Sequence, residues 1–120
     1  MADLGQQLFY TCSYEDPTEL AQLLDAGANK EWRDDLGWTP IIRAAFFGRL
    51  ATVKLLADRG ADIHARNNDG MNALMQASCW GNTAVAEFLL DRGVDIRVRD
   101  KKGKDALLIA ALNGEIDTSC

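Results

Sequence analysis

Residues 34–66 read DDLGWTPIIRAAFFGRLATVKLLADRGADIHAR, and residues 67–99 repeat that line in register with eleven identities, among them Asp58/Asp91, Arg59/Arg92 and Ile63/Ile96. Four ladders step by 33 residues: Gly37, Gly70, Gly103; Ala44, Ala77, Ala110; Gly48, Gly81, Gly114; and Gly27, Gly60, Gly93. Interleaved ladders in one register describe a repeated structural unit, and a period of this length marks a solenoid. Each unit of a solenoid buries its apolar face only by stacking on its neighbours, and what the stack presents is surface.

Within residues 34–66, Thr39-Pro40 is a helix start. The hydroxyl can cap free N–H groups, and proline at the first helical position loses no hydrogen bond. Asn72 and Asp105 hold the same place in the next units, so three residue types serve one role. Ile41, Ala44, Ala45 and Gly48 then fall on one helical face, small enough for a neighbouring backbone to approach closely. A second helix is expected from about Leu50 to Arg59, with Leu50, Val53, Leu56 and Ala57 inward and Lys54, Asp58 and Arg59 outward. Gly60 ends it as a left-handed cap. Ala61–Gly70 reads as an extended finger closed by the turn Asn67-Asn68-Asp69-Gly70. The flanks keep the frame: Asp16-Pro17-Thr18-Glu19 opens the second helix of a first unit as a capping box. A fourth unit begins after residue 99 and reaches only its first helix, Ala106–Leu112.

The 120 residues suffice for one domain, and 48% apolar with 26% charged residues is ordinary for a globular chain. A net charge of −5 disfavours nucleic acid and anionic membrane surfaces as general partners. The longest strongly apolar run, Ala106–Leu112, is too short for a membrane span. Cys12, Cys79 and Cys120 are an odd number, widely spaced and without CxxC, which reads as reduced thiols in a cytoplasmic protein, with the nucleus as the other compartment. The start, MADLGQQLFY, has no basic segment leading an apolar one, so no secretory signal is read there.

On the residues Gly37-x-Thr39-Pro40-Ile41-Ile42-x-Ala44-Ala45-x-x-Gly48 and Val53-x-Leu55-Leu56-x-x-x-Gly60-Ala61-Asp62-Ile63 the chain resembles the ankyrin repeat. The resemblance covers nearly the whole sequence. The family's usual Thr-Pro-Leu-His survives only as Thr39-Pro40, and its histidine is replaced by Ile42, Met75 and Leu108. It implies an all-α solenoid forming a single domain, 1–120, with repeats at 1–33, 34–66, 67–99 and a partial one at 100–120. It also implies binding of another protein through finger tips and the concave side, without catalysis or cofactor. A fragment of a longer ankyrin protein, or a regulatory subunit of an enzyme complex, would read the same way.

No GxGxxG, GxxxxGK[ST] or HExxH is present, and His64, the one histidine, lies in a finger beside no partner for a metal site or triad. Cys12 aligns with Ala45, Ser78 and Ala111, a small-residue column suited to packing. Three other columns leave the core pattern. One runs Tyr14, Phe47, Trp80, Asn113; another Ser13, Phe46, Cys79, Leu112, read as exposed; a third Gly5, Trp38, Met71, Lys104. In ankyrin repeats such columns look like partner-contacting positions, and aromatic side chains dominate interface energies. Tyr14, Trp38, Phe46, Phe47, Met71, Cys79 and Trp80 are therefore contact candidates. The alternative is that the rings stack along the solenoid and seal it, with Phe47 and Trp80 as neighbours.

Arg33, Arg66 and Arg99 form a ladder at the finger stems. A guanidinium row suits an acidic peptide, while pairing with aspartates and glutamates of adjacent fingers is the other reading. At the C-terminal edge, Leu107, Leu108 and Ile109 keep the last helix apolar, which leads to an expectation of self-association or fraying.

Overall fold

The computed structural model describes residues 3–104, so the partial fourth repeat from its cap Asp105 onward, apolar edge included, lies outside the described residues. Among them run six helices and no strand: α1 (Leu4–Thr11), α2 (Thr18–Asp25), α3 (Pro40–Phe47), α4 (Leu50–Asp58), α5 (Ala73–Cys79) and α6 (Thr83–Asp91). Each consecutive pair packs as a helical hairpin, and the first helices stack in the order α1, α3, α5. Helix α4 packs on α6 in the second layer.

The starts follow from side-chain oxygens beside free N–H groups. Thr39 accepts from the Ile42 N–H and Asn72 from the Met75 N–H. At α2 the expected capping box is not formed, because the N-cap position falls on Pro17, which has no side-chain cap bond. Asp16 Oδ1 accepts from the Thr18 N–H at 3.0 Å and the Thr18 hydroxyl at 2.6 Å, and Glu19 does not reach back. These bonds hold the Asp16 carboxyl below its ordinary range, the hydroxyl contributing most.

The second helices end alike. Gly60, at φ +87°, donates to the Ala57 carbonyl while Ala61 donates to Leu56, and the same pair of bonds recurs at Gly27 and Gly93. This is the six-to-one and five-to-two pattern that satisfies the last carbonyls of a helix, and it needs a left-handed residue at its corner.

The core runs through the stack as one cluster. Ile41, Ala44 and Ala45 of α3 are fully buried as the periodicity requires, and so are Val53 and Leu56 of α4. Ile42 is equally buried. The physical reason is that α3 has helices on three sides, α1, α4 and α5, and a helix so enclosed must be apolar over more than one stripe.

The fingers are built from one device used repeatedly. Asp34 Oδ1 accepts from the Leu36 and Trp38 N–H groups, Asn67 Oδ1 from Asp69 and Met71, and Asp100 Oδ1 from Lys102 and Lys104. A carboxylate or amide oxygen thus imitates a backbone turn at the head of every finger. Adjacent fingers are laced by the Asn68 N–H donating to the Leu36 carbonyl, and the Lys101 N–H to Asp69.

Candidate functional site

The surface that stands out is made of rings. Phe46, at the end of α3, contacts three of them edge-on: Trp38 at 5.4 Å between centroids, Phe47 at 5.0 Å and Trp80 at 5.1 Å. Phe9 meets Tyr10 edge-on at 5.4 Å and Trp32 in a tilted contact at 5.1 Å. The two groups are joined by Arg43. Its guanidinium carbon lies 4.9 Å from the Phe9 centroid, 5.2 Å from Tyr10 and 5.0 Å from Phe47. Seven of the chain's nine aromatic side chains therefore form one connected network around a single cation.

Edge-to-face pairs satisfy the ring quadrupoles, and a guanidinium over a ring face adds an electrostatic attraction. The network still faces water. Trp80 is 50% exposed and Tyr10 49%, while Trp38, Phe46 and Phe47 are half-buried. Tyr14 is 50% exposed as its column predicts, but lies outside the network.

The structure rearranges several sequence-level placements. Trp80 packs on Phe46, not on Phe47; Phe47 turns back toward Arg43 instead. Cys79, read as exposed, is 5% exposed and belongs to the core cluster, because a short side chain in that column ends inside the core where the longer Phe46 reaches the rings. Nor is Cys79 a free thiol, which corrects the reduced-thiol reading for it, while Cys12 is free. Met71 is also buried, at 8%, and its sulfur accepts from the Gln76 amide at 3.6 Å.

Among the described residues Arg33 and Arg66 bond to backbone carbonyls and not to the carboxylates of adjacent fingers. Arg33 donates to the Gly37 carbonyl at 2.9 Å and, one repeat on, to the Arg66 carbonyl at 2.8 Å. Arg66 repeats the pattern, donating to Gly70 at 2.8 Å and to the Arg99 carbonyl. These guanidinium groups are stitches between finger stems. Two ion pairs sit at the ends of the second helices, Arg59 with Asp25 at 2.9 Å and Arg92 with Asp58 at 2.8 Å, and Arg97 pairs with Asp95 at 3.2 Å within the last finger.

A second stitch lies beneath the rings. Asn82 Nδ2 donates to the carbonyls of Ala45 at 2.8 Å and Phe46 at 3.1 Å. One repeat earlier, Arg49 Nε donates to the Ser13 carbonyl at 2.8 Å. Ser13 and Phe46, like Arg49 and Asn82, are 33 apart, so unlike side chains close the same joint.

Column reading missed Phe9, Tyr10, Trp32 and Arg43. A signal for two of them existed: Tyr10 and Arg43 precede the selected columns by three and four residues, the spacing that places side chains on one helical face. Among the described residues no cluster of histidine, cysteine, aspartate or glutamate could hold a metal ion. No described helix is long and apolar enough to cross a membrane.

Stacked helical hairpins with protruding turn-headed fingers define an all-α repeat protein. A family model for ankyrin repeats, in three copies, matches residues 8–100, and the chain belongs to the ankyrin repeat family. Ankyrin repeats are in general protein–protein interaction modules and typically not enzymes. No curated protein matches this sequence.

Proposed function

We propose that this chain is a non-enzymatic module that binds a partner protein through its concave face and finger tips, with Trp80, Phe46, Phe47 and Trp38 as apolar anchors. The observation that carries the reading is the connected ring network, held half open to water at Trp80 and Tyr10. Contiguous apolar surface of this kind is characteristic of interaction sites, and large rigid rings supply contact area at small entropic cost.

The frame under the rings supports binding by fixed shape. Asn82 and Arg49, at the starts of α6 and α4, each tie one repeat to the preceding one, and the fingers are laced backbone to backbone. A site so braced binds with little rearrangement.

The test is co-purification of the tagged full-length chain from its own cells, read by quantitative mass spectrometry. Proteins retained by the wild type and lost with Trp80→Ala and Phe47→Ala, but kept by the exposed helix control Glu87→Ala, are the expected result. Partners retained by Trp80→Ala and Phe47→Ala, or lost equally with Glu87→Ala, would move the binding surface away from the rings.

A further inference from the structure

The network holds one charge that nothing in the fold consumes. Among the described residues the Arg43 side chain makes no hydrogen bond and no ion pair; the residue is half-buried, and of its guanidinium nitrogens only Nε is buried without a partner. The other guanidinium groups along this side are spoken for: Arg33 and Arg66 by finger carbonyls, Arg49 by the Ser13 carbonyl and, at 3.7 Å, by Glu15. Leaving a cation partly desolvated without a counter-charge is costly, and three ring faces offset only part of that cost.

We propose that Arg43 is the charge-reading centre of the aromatic face, taking a side-chain carboxylate from a partner segment whose apolar side chains lie on the surrounding rings. This rests on the function proposed above. With Nε buried, the two terminal amino groups are the pair left to receive a partner, a planar fork that matches two carboxylate oxygens. Phe9, Tyr10 and Phe47 hold that fork in place before the partner arrives, so little freedom is lost on binding.

The charge count selects a carboxylate over a phosphate. A single unpaired cation balances a single negative charge, whereas phosphate recognition draws on clustered arginines. On a chain of net charge −5, a dianion at Arg43 would remain under-compensated. The acidic-peptide contact that the sequence placed on the finger-stem arginines is thereby moved to a different residue.

Random peptides displayed on phage and selected on the full-length chain provide the probe. Expected binders pair an aromatic or aliphatic residue with Asp or Glu. Replacing that acid by its amide in a synthetic copy should weaken binding to the wild type about tenfold or more. The same exchange should change binding to Arg43→Met by less than about twofold, the loss of coupling that marks a direct pair. If circular dichroism shows that Arg43→Met does not fold, Arg43→Lys replaces it. That variant keeps the charge but not the fork, and the acid-to-amide effect should then shrink at least about threefold.

An acid-to-amide effect that is equal on wild type and variant overturns the proposal, as does a selection yielding no acid-bearing binder. A phosphoserine copy that binds about tenfold tighter than the glutamate copy reassigns the site to phosphopeptides and overturns the carboxylate assignment. Binders that need Trp80 but not Arg43 would sink only this inference. Binders indifferent to both would sink the ring-face function as well.

Discussion

Trp80 meets Phe46 edge-on across the joint between two repeats, with centroids 5.1 Å apart and ring planes inclined at 67°, while half of the indole stays in water. One side chain thus touches the neighbouring repeat and keeps an exposed ring surface. Trp80→Ala is expected to cost roughly 0.5–1.5 kcal/mol of stability from the lost ring pair, and roughly 2 kcal/mol or more of partner binding. Urea unfolding and titration calorimetry separate the two. A stability loss that equals or exceeds the binding loss would make the ring a brace alone.

Asn82 holds the same joint from below. Its amide supplies hydrogens to two carbonyls at the end of α3, at 2.8 and 3.1 Å. Asn82→Ala leaves those acceptors without that donor and is expected to destabilise by about 1–3 kcal/mol. Asn82→Asp, which turns an acceptor toward acceptors, should be no milder. Chemical denaturation measures both, and an unchanged midpoint for Asn82→Asp would show that the stitch is dispensable.

Thr52 is a local flaw. It is fully buried in α4, its hydroxyl oxygen has no hydrogen-bond partner, and one repeat later the equivalent position holds the buried Val85. Thr52→Val keeps the branched shape and removes an unsatisfied group. A gain of about 1 kcal/mol is expected, measured as a rise in the urea midpoint with unchanged slope. A loss would mean that a water molecule serves the hydroxyl.

Two glycines with similar backbone angles should respond differently. At Gly60, φ +87°, an added Cβ would meet only Lys30 Cε, at 3.9 Å, so Gly60→Ala costs the left-handed conformation alone, about 1 kcal/mol. At Gly37, φ +80°, the Cβ would come to 2.5 Å from Asn68 Oδ1 and 2.9 Å from its backbone nitrogen. Asn68 is also the residue that laces two fingers, so Gly37→Ala must disturb that contact as well. Thermal melts should rank Gly37→Ala clearly below Gly60→Ala, and the reverse order would contradict this account.

Cys12 should be silent toward alkylating reagents until the chain opens. Burial pushes its thiol from 9.0 to about 12, against a smaller lowering by the Arg43 charge, and its sulfur donates to the Leu8 carbonyl at 3.3 Å. The raised value fixes a sign. As pH climbs from 9.0 toward 12 the unfolded chain ionises this thiol and the folded chain does not, so stability falls across that window. Site-resolved mass spectrometry after iodoacetamide treatment checks the first point. A shallower alkaline loss in Cys12→Ala, which copies Ala45 one repeat on, checks the second.

What the sequence determined by itself was everything set within one unit. The 33-residue register, the Thr39 and Asn72 caps, the glycine-ended second helices and the Val53/Leu56 stripe depend on a few neighbouring backbone bonds or on helical periodicity, and residue identity carries both. Only the tertiary structure decided what crosses between units. Column alignment treats successive repeats as pure translations, but solenoid repeats are also rotated, and a ring or guanidinium reaches several ångströms beyond its own backbone. So Trp80 found Phe46 instead of Phe47, Cys79 and Met71 sank into the core, and Arg33 and Arg66 bonded to carbonyls one repeat away. Arg43 came to rest among rings from two repeats for the same reason. Packing energy spread over many weak contacts chose those partners, and no local pattern of residues encodes that choice.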